Sequence, residues 1–325
     1  MNSHWIYRFA ALVLSAAGLG MAAGNAIAQS YPSRQITYLV PYGPGTGNDI
    51  IARIVAQKVT ETWGHPIVVE NRPGANGGIA IEATTKAQPD GYTILIASTS
   101  QIINQHVSKV RYDFQRDFAP ISLTGELAYV IAVATNSPAK SIKDLVATAK
   151  ASPGKLNYAG IVGGVPHFMG VMLKSAGGVD IAMVPYKSTT DAETDVVSGR
   201  VEILFTTMAT AVRFVKAGKI RVLGVAGDKR AAVLPDVPTM AEAGFPTLNV
   251  SVGFFVLAPA GTPKAVVGTL NSEFVRAIAT KDVRDRLAAA GVEPKSSSPE
   301  ELAALLKSEV ARWGKIVKDS GVHVE

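Results

Sequence analysis

The chain of 325 residues contains no cysteine, few aromatic residues (7%) and few charged ones (18%). Without cysteine there is no thiol nucleophile, no thiolate metal ligand and no disulfide, so a compact fold must rest on its apolar core alone. A chain of this length with 47% hydrophobic residues can build one. Histidine is sparse: beyond the first 28 residues only His65, His106, His167 and His323 occur, with no H-E-x-x-H and no pair at metal-ligand spacing. The G-x-S-x-G elbow of the common esterases is also missing. No run of Lys or Arg exceeds two residues and none is interleaved with aromatics, which argues against a nucleic-acid partner. What charge there is leans basic, at +6 overall, a balance that favours encounter with anionic solutes.

The start of the chain has the three-part pattern of an export signal. Arg8 gives the positive region, Phe9–Ala23 is an uncharged apolar run, and Ala26-Ile27-Ala28 is a small-x-small site before Gln29. The run is short of the ~20 residues that a spanning helix needs. The expectation is cleavage after Ala28 and a periplasmic mature protein, in which no later segment spans a membrane.

From Gln35 onward, strand and helix patterns alternate. Ile36–Pro41 reads as a buried strand, and Ile51, Ile54, Val55 and Val59 then recur at helical spacing with Gly64 as a stop. Pro66–Glu70 completes a β-α-β unit, which calls for a parallel sheet. Asn71–Gly78 is a turn cluster, followed by a short helix and the strand Thr93–Ala97. The rhythm restarts after Gly125 with strands at Tyr129–Ala134, Leu156–Ala159, Ile181–Pro185, Val201–Phe205 and Val222–Ala226, and helices at Ser141–Ala151 and Pro166–Ala176. A strand beginning at Ser251 runs to a helix start at Thr262-Pro263, and Ser298-Pro299-Glu300-Glu301 marks the last helix with a capping box. Two similar blocks without a disordered linker indicate an α/β protein of two lobes.

Two glycine-rich turns stand out. "VPYGPGTGNDIIAR" (Val40–Arg53) lies between a strand and a helix, but it lacks the third glycine of a dinucleotide fingerprint and the Lys-Ser/Thr of a phosphate loop. Two readings remain open on the pattern alone: a tight structural turn, or backbone amides at a helix N-terminus that hold a carboxylate. "GIVGGVPHF" (Gly160–Phe168) repeats the design in the second block, with Gly163, Gly164, Val165 and His167 at the turn. One such turn in each lobe suits a ligand gripped from both sides. Ser98-Thr99-Ser100 and Thr206-Thr207 end two further strands with hydroxyls, which either cap helices or meet a carboxylate.

The chain resembles the Bug/TctC family, the extracytoplasmic solute receptors of tripartite tricarboxylate transporters. The resemblance is carried by "VPYGPGTGNDIIAR", "VVENRPGANG", "QPDGYTIL", "LNYAG", "VPHFMG", "MVPYKS", "GKIRVLGVAGDKR", "LPDVPTMAEAGFP" and "LAPAGTPKAVVGTLN", in the family's order. It implies a two-lobed type II periplasmic binding fold that closes over a small organic acid. Lobe one would comprise residues 29–125 and 227–325 and lobe two 126–226, with crossings near Gly125 and Gly227. The ligand would meet Tyr42, Gly45, Thr46, Gly47, Asn48 and Asp49 from one loop and Gly163, Gly164, Val165 and His167 from the other, with Ser98, Thr99, Tyr186, Thr206 and Thr207 around them. Thr46 stands where the family commonly has a second glycine, and its hydroxyl would reach a ligand oxygen, whereas Asp49 would hold the loop by accepting backbone N–H bonds in the first helical turn. Thr206 and Thr207 are neutral where relatives that bind amino acids often carry an acid, which favours a mono- or dicarboxylate, aliphatic or aromatic. Tyr42 and Tyr186 could stack on an aromatic acid.

The expected function is therefore capture of a small organic carboxylate and its delivery to the membrane permease of such a transporter, by a monomer without cofactor, metal or catalysis. The rivals are a receptor serving a signalling sensor and an exported hydrolase, the latter disfavoured by the missing elbow and few histidines.

Overall fold

A computed structural model describes residues 31–186 and 189–322; the leader, its cleavage site, Lys187, Ser188 and His323 lie outside them. Strand β1 (Ile36–Val40) runs into helix α1 (Gly47–Trp63), which returns the chain to β2 (Ile67–Asn71). β1 and β2 are parallel, with Ile36 opposite Ile67, as the β-α-β spacing requires. Ile51, Ile54, Val55 and Val59 form the buried stripe of α1, and Gly64 ends it in the left-handed region at φ 70. A turn then leads to α2 (Gly78–Thr85), β3 (Thr93–Ser98) and α3 (Thr99–Val107).

The next strand differs from expectation. β4 runs for 17 residues, Phe118–Ala134, rather than starting at Tyr129. Its first half was hidden because Pro120, Ser122, Thr124, Gly125 and Glu126 break the apolar pattern. The pairing with β9 (Ser251–Pro259) absorbs them through register shifts at Pro120/Ser122 and Leu123/Gly125. After β4 come α4 (Ile142–Ala151), β5 (Leu156–Gly160), α5 (Val165–Gly177), β6 (Ile181–Pro185), α6 (Thr189–Val197), β7 (Ile203–Thr207), α7 (Met208–Lys216) and β8 (Ile220–Ala226). Helices α8 (Lys264–Ala279), α9 (Lys281–Ala289) and α10 (Pro299–Ser320) close the chain. The capping box at α10 is formed: Glu301 N–H donates to the Ser298 hydroxyl, and the Glu301 carboxylate accepts from Ser298 N–H.

The strands run in the order β2-β1-β3-β9-β4-β7-β5-β6, with β8 also on β4. β4 joins the lobes by exchanging partners along its length. Phe118–Ala128 pairs with β9, whereas Tyr129–Val133 pairs with β7 and Tyr129–Ala134 with β8. The chain does not leave β8 at Gly227, where a crossing was expected: Val225 N–H donates to Pro238 O, Met240 N–H to Val225 O and Val250 N–H to Ala226 O, which keeps the segment up to Val250 against it. Each half has its own core. Tyr38 meets Phe274 edge-on at 5.8 Å in the first, and Val130, Ala132, Val196, Leu204, Met208 and Val225 fill the second.

These registers aim the strand ends at one another. Ser98, at the carboxyl end of β3, pairs with Phe254 of β9, which pairs with Gly125 of β4. Thr207, at the carboxyl end of β7, pairs with Tyr129 of β4. The carboxyl edges of both parallel sets therefore face each other across the Gly125–Tyr129 stretch. Loops outside the carboxyl ends of such strands are where ligands of open α/β sheets bind.

Candidate ligand-binding site

The turn after β1 is braced by its own side chains. Asp49, 3% exposed, accepts from Gly45 N–H at 2.9 Å, from Arg53 Nε at 2.9 Å and from Asn71 Nδ2 at 2.9 Å. Asn71 also donates to Tyr42 O and accepts from Arg53, so β2, the turn and α1 share one network. Burial alone would raise the Asp49 pKa; the bonds from Arg53, Gly45 and Asn71 outweigh it and hold the carboxyl below the usual range. Asp49 thus supports the loop as expected, but through the Gly45 amide upstream of the helix. Thr46 is the N-cap residue of α1 and makes no side-chain cap; its hydroxyl donates to Gly43 O at 2.9 Å. With its single proton engaged there, the hydroxyl offers a ligand only lone pairs.

What this loop leaves free is backbone. The N–H groups of Gly47, Asn48 and Asp49 open a 17-residue helix and have no intrahelical partner, since the first such bond is Ile50 N–H to Thr46 O. Asn48 Nδ2 is buried beside them with no hydrogen-bond partner. Gly47 packs closely: a Cβ would lie 3.1 Å from the Phe254 ring, which would have to give by a few tenths of an ångström.

A second network backs the loop. Tyr42 donates its hydroxyl to Asn76 Oδ1 at 3.1 Å and accepts from Gln101 Nε2 at 2.6 Å. Burial, together with Tyr129 and Tyr112, pushes the phenol up. Gln101 Oε1 in turn accepts from both the N–H and the hydroxyl of Ser98. The Thr99 hydroxyl accepts from Gly253 N–H at 3.0 Å. Of the two readings of the Ser98 cluster, the structure displays helix-start bonding. Asn76 and Gln101 did not figure among the expected site residues. The S-x-x-Q spacing could have marked Gln101, but nothing local marks Asn76, which sits at φ 50 in a run of positive φ from Gly74 to Gly77.

The turn after β5 is simpler. Gly163, at φ 74, donates its N–H to His167 Nδ1 at 3.2 Å, and Gly164 N–H donates to Ile161 O. Accepting at Nδ1 places the neutral ring's proton on Nε2, and burial lowers the His167 pKa in favour of that neutral form. Val165 opens α5, and Pro166 beside it has no N–H, so the Val165 amide and His167 Nε2–H are the donors this turn can offer.

The third group lies at the end of β7. The Thr207 hydroxyl accepts from Thr210 N–H as the N-cap of α7. Thr206, 5% exposed, donates to Glu193 Oε1 at 3.4 Å. Glu193, 8% exposed on α6, also meets Arg213 at 3.3 Å. Burial raises its pKa, opposed by Arg213 and Thr206. Tyr129, opposite Thr207 on β4, is pushed up to about 12 by burial and then by the Glu193 charge. Neither Glu193 nor Tyr129 was expected. The view of this end as neutral is corrected by a carboxylate that reaches Thr206 from another helix. Tyr186 donates its N–H to Gly160 O at 2.8 Å, where the second turn begins, and its hydroxyl to Asp195 of α6 at 2.7 Å. Among the described residues no group of acidic or histidine side chains could hold a metal ion, and no helix is long and apolar enough to cross a membrane.

Residues 51–322 match the family model described as TctC, the tripartite tricarboxylate transporter family receptor. The chain belongs to that family. It is 31% identical over 329 residues to BugT of Bordetella pertussis, covering 100% of both chains. Among solved structures it is similar to Rpa4515 of R. palustris with adipate (32% identity, TM-score 0.81, 90% of this chain and 99% of that one). It is also similar to MatC of Rhodopseudomonas palustris with bound malate (30% identity, TM-score 0.76, 88% of this chain and 100% of that one). With 32% identity and a TM-score of 0.78 to the periplasmic binding protein BugD, over 91% of this chain and 100% of that one, the receptor has the two-lobed periplasmic binding fold.

Proposed function

We propose that the receptor captures a small organic carboxylate, mono- or dicarboxylate, between its lobes and delivers it to the permease of a tripartite tricarboxylate transporter. What supports this reading is that a helix N-terminus follows a strand end on each side of the Gly125–Tyr129 stretch of β4. One turn leaves the amides of Gly47, Asn48 and Asp49 without intrahelical partners, the other offers Val165 N–H and His167 Nε2–H. Oriented amides at helix starts favour an anion without needing an ionic partner. Relatives solved with adipate and malate support the ligand class. In this reading Gly45 and Asp49 shape the first turn, Tyr42, Ser98 and Thr99 back it, and Thr206 and Thr207 line the far side.

The lobes would be hinged where β4 exchanges partners between Ala128 and Tyr129 and where the chain re-enters β9 after Val250. The leader would be removed after Ala28, leaving a periplasmic monomer with no catalytic step. The test is mass spectrometry of acid released from purified protein, followed by thermal unfolding with mono-, di- and tricarboxylates. A ligand at a hundred times its dissociation constant adds about 2.7 kcal/mol to stability. An empty protein whose melting point no member of the panel shifts would refute the reading.

A further inference from the structure

The two sides of the cleft differ in hydrogen-bonding polarity. The glycine turns offer donors: the first-turn amides of α1, the Val165 amide and His167 Nε2–H. The end of β7 offers the opposite. A hydroxyl has one proton, and that of Thr206 points to Glu193 Oε1, so what remains on Thr206 is lone pairs. Glu193 is a buried carboxyl whose second oxygen meets the exposed Arg213 guanidinium at 3.3 Å, a contact that opposes the upward push of burial on its pKa. Thr207 likewise directs its proton to Thr210 Oγ1 at 3.3 Å. Thr207 pairs with Tyr129 of β4, which sets this acceptor group beside the Gly125–Tyr129 stretch that both sets of strand ends face.

We propose that Glu193, acting through the Thr206 hydroxyl, makes the β7 side of the cleft an acceptor site that selects carboxylates bearing a hydroxyl or ammonium donor over the unsubstituted acid. The inference rests on the carboxylate-receptor reading. A second bare carboxylate on that side would face lone pairs and the Glu193 charge, whereas a donor group would complete the bonding that the threonines leave open. Glu193 is a positioning residue, since it sets which way the Thr206 proton points.

Calorimetry on the mature protein with three matched series tests this: propionate, lactate and alanine; succinate, malate and aspartate; glutarate, 2-hydroxyglutarate and glutamate. In the series that binds tightest, the hydroxy or amino member should exceed the parent acid by on the order of tenfold, the size of one good hydrogen bond. The two derivatives separate a hydroxyl from an ammonium preference. Thr206→Val should bring the ratio to about twofold or less, and Thr206→Ser should retain it. Glu193→Gln, whose amide can donate to Thr206 and free its proton, should shift the ratio toward the parent acid. A merely structural role for Glu193 would weaken all members alike and leave the ratio in place. A parent acid that binds the wild type as tightly as its derivatives overturns the inference and leaves the receptor reading standing. Binding of none of the nine overturns the inference, and the receptor reading falls with it only if the wider panel of carboxylates also shifts no melting point.

Discussion

The two glycine turns share a pattern and are held in different ways. The turn after β1 is braced by polar side chains: Asp49, Arg53 and Asn71 tie turn, helix and strand together at 2.8–2.9 Å. The turn after β5 has two longer side-chain contacts, His167 Nδ1 accepting from Gly163 N–H at 3.2 Å and the Tyr158 hydroxyl donating to His167 O at 3.4 Å, and otherwise depends on where α5 packs. That packing is close. A Cβ on Gly170 would sit 2.1 Å from the Tyr158 ring, and Phe168 meets Trp313 of α10 edge-on at 5.9 Å. One turn is thus placed by electrostatics and the other by helix packing, so perturbing each mechanism should affect one turn and spare the other.

The largest effect is expected at Gly170. Its close approach to Tyr158 leaves no room for a methyl group, so Gly170→Ala must push α5 off β5 or turn the ring out of the core. Overpacking of this kind costs about 1–3 kcal/mol, occasionally more. Because α5 carries Val165 and His167, ligand affinity should fall with stability. Urea unfolding and calorimetry on the same variant check this, and an unchanged unfolding midpoint would mean that packing does not position the second turn.

Asp49 tests the other mechanism. Asp49→Asn keeps the shape but removes the charge that Arg53, Gly45 and Asn71 share, and should cost about 1–3 kcal/mol of stability. Because the folded pKa is depressed, the ionised carboxylate stabilises the fold above its unfolded value of about 3.9, and that contribution is lost as pH falls through the lower folded value. The gap between parent and variant should therefore be full at pH 7 and close in the acid range below about pH 4. A gap that persists undiminished under acid would assign the loss to packing, and the contrast between the turns would dissolve.

The part of this contrast that could be read from the sequence is the part made of local signals. Gly64, the capping box of Ser298 and Glu301, and the β1-α1-β2 unit each lie within a short window, and each formed as its chemistry requires. The glycine turns were legible for the same reason, and Gly45 and Gly163 do occupy positive φ. The first half of β4 was not, because its pairing with β9 across more than a hundred residues overrides Pro120 and Gly125. The braces were hidden likewise. Asn71 reaches Asp49 from the end of β2, and Glu193 reaches Thr206 from α6, contacts that the fold makes and no spacing encodes. Glu193 mattered most, since without it the end of β7 read as neutral.

The smallest effect is expected at Thr46, where sequence and structure make opposite forecasts. If the hydroxyl met a ligand carboxylate directly, Thr46→Val would weaken binding by roughly 1.5–3 kcal/mol with little change in stability, as for a hydrogen bond to a charged group. The structure instead has that hydroxyl donating to Gly43 O at 2.9 Å, and its side chain does not cap α1. Valine keeps the branched shape suited to the extended backbone at φ -77, ψ 163, so the turn should survive the change. The expected loss is then one ordinary hydrogen bond, about 0.5–1.5 kcal/mol of stability, with affinity lowered by less than about 1 kcal/mol. Calorimetry and unfolding of the one variant separate the forecasts. A large affinity loss at constant stability would mean that the hydroxyl leaves Gly43 for the ligand on binding, and the braced turn would then contribute a side chain as well as its backbone.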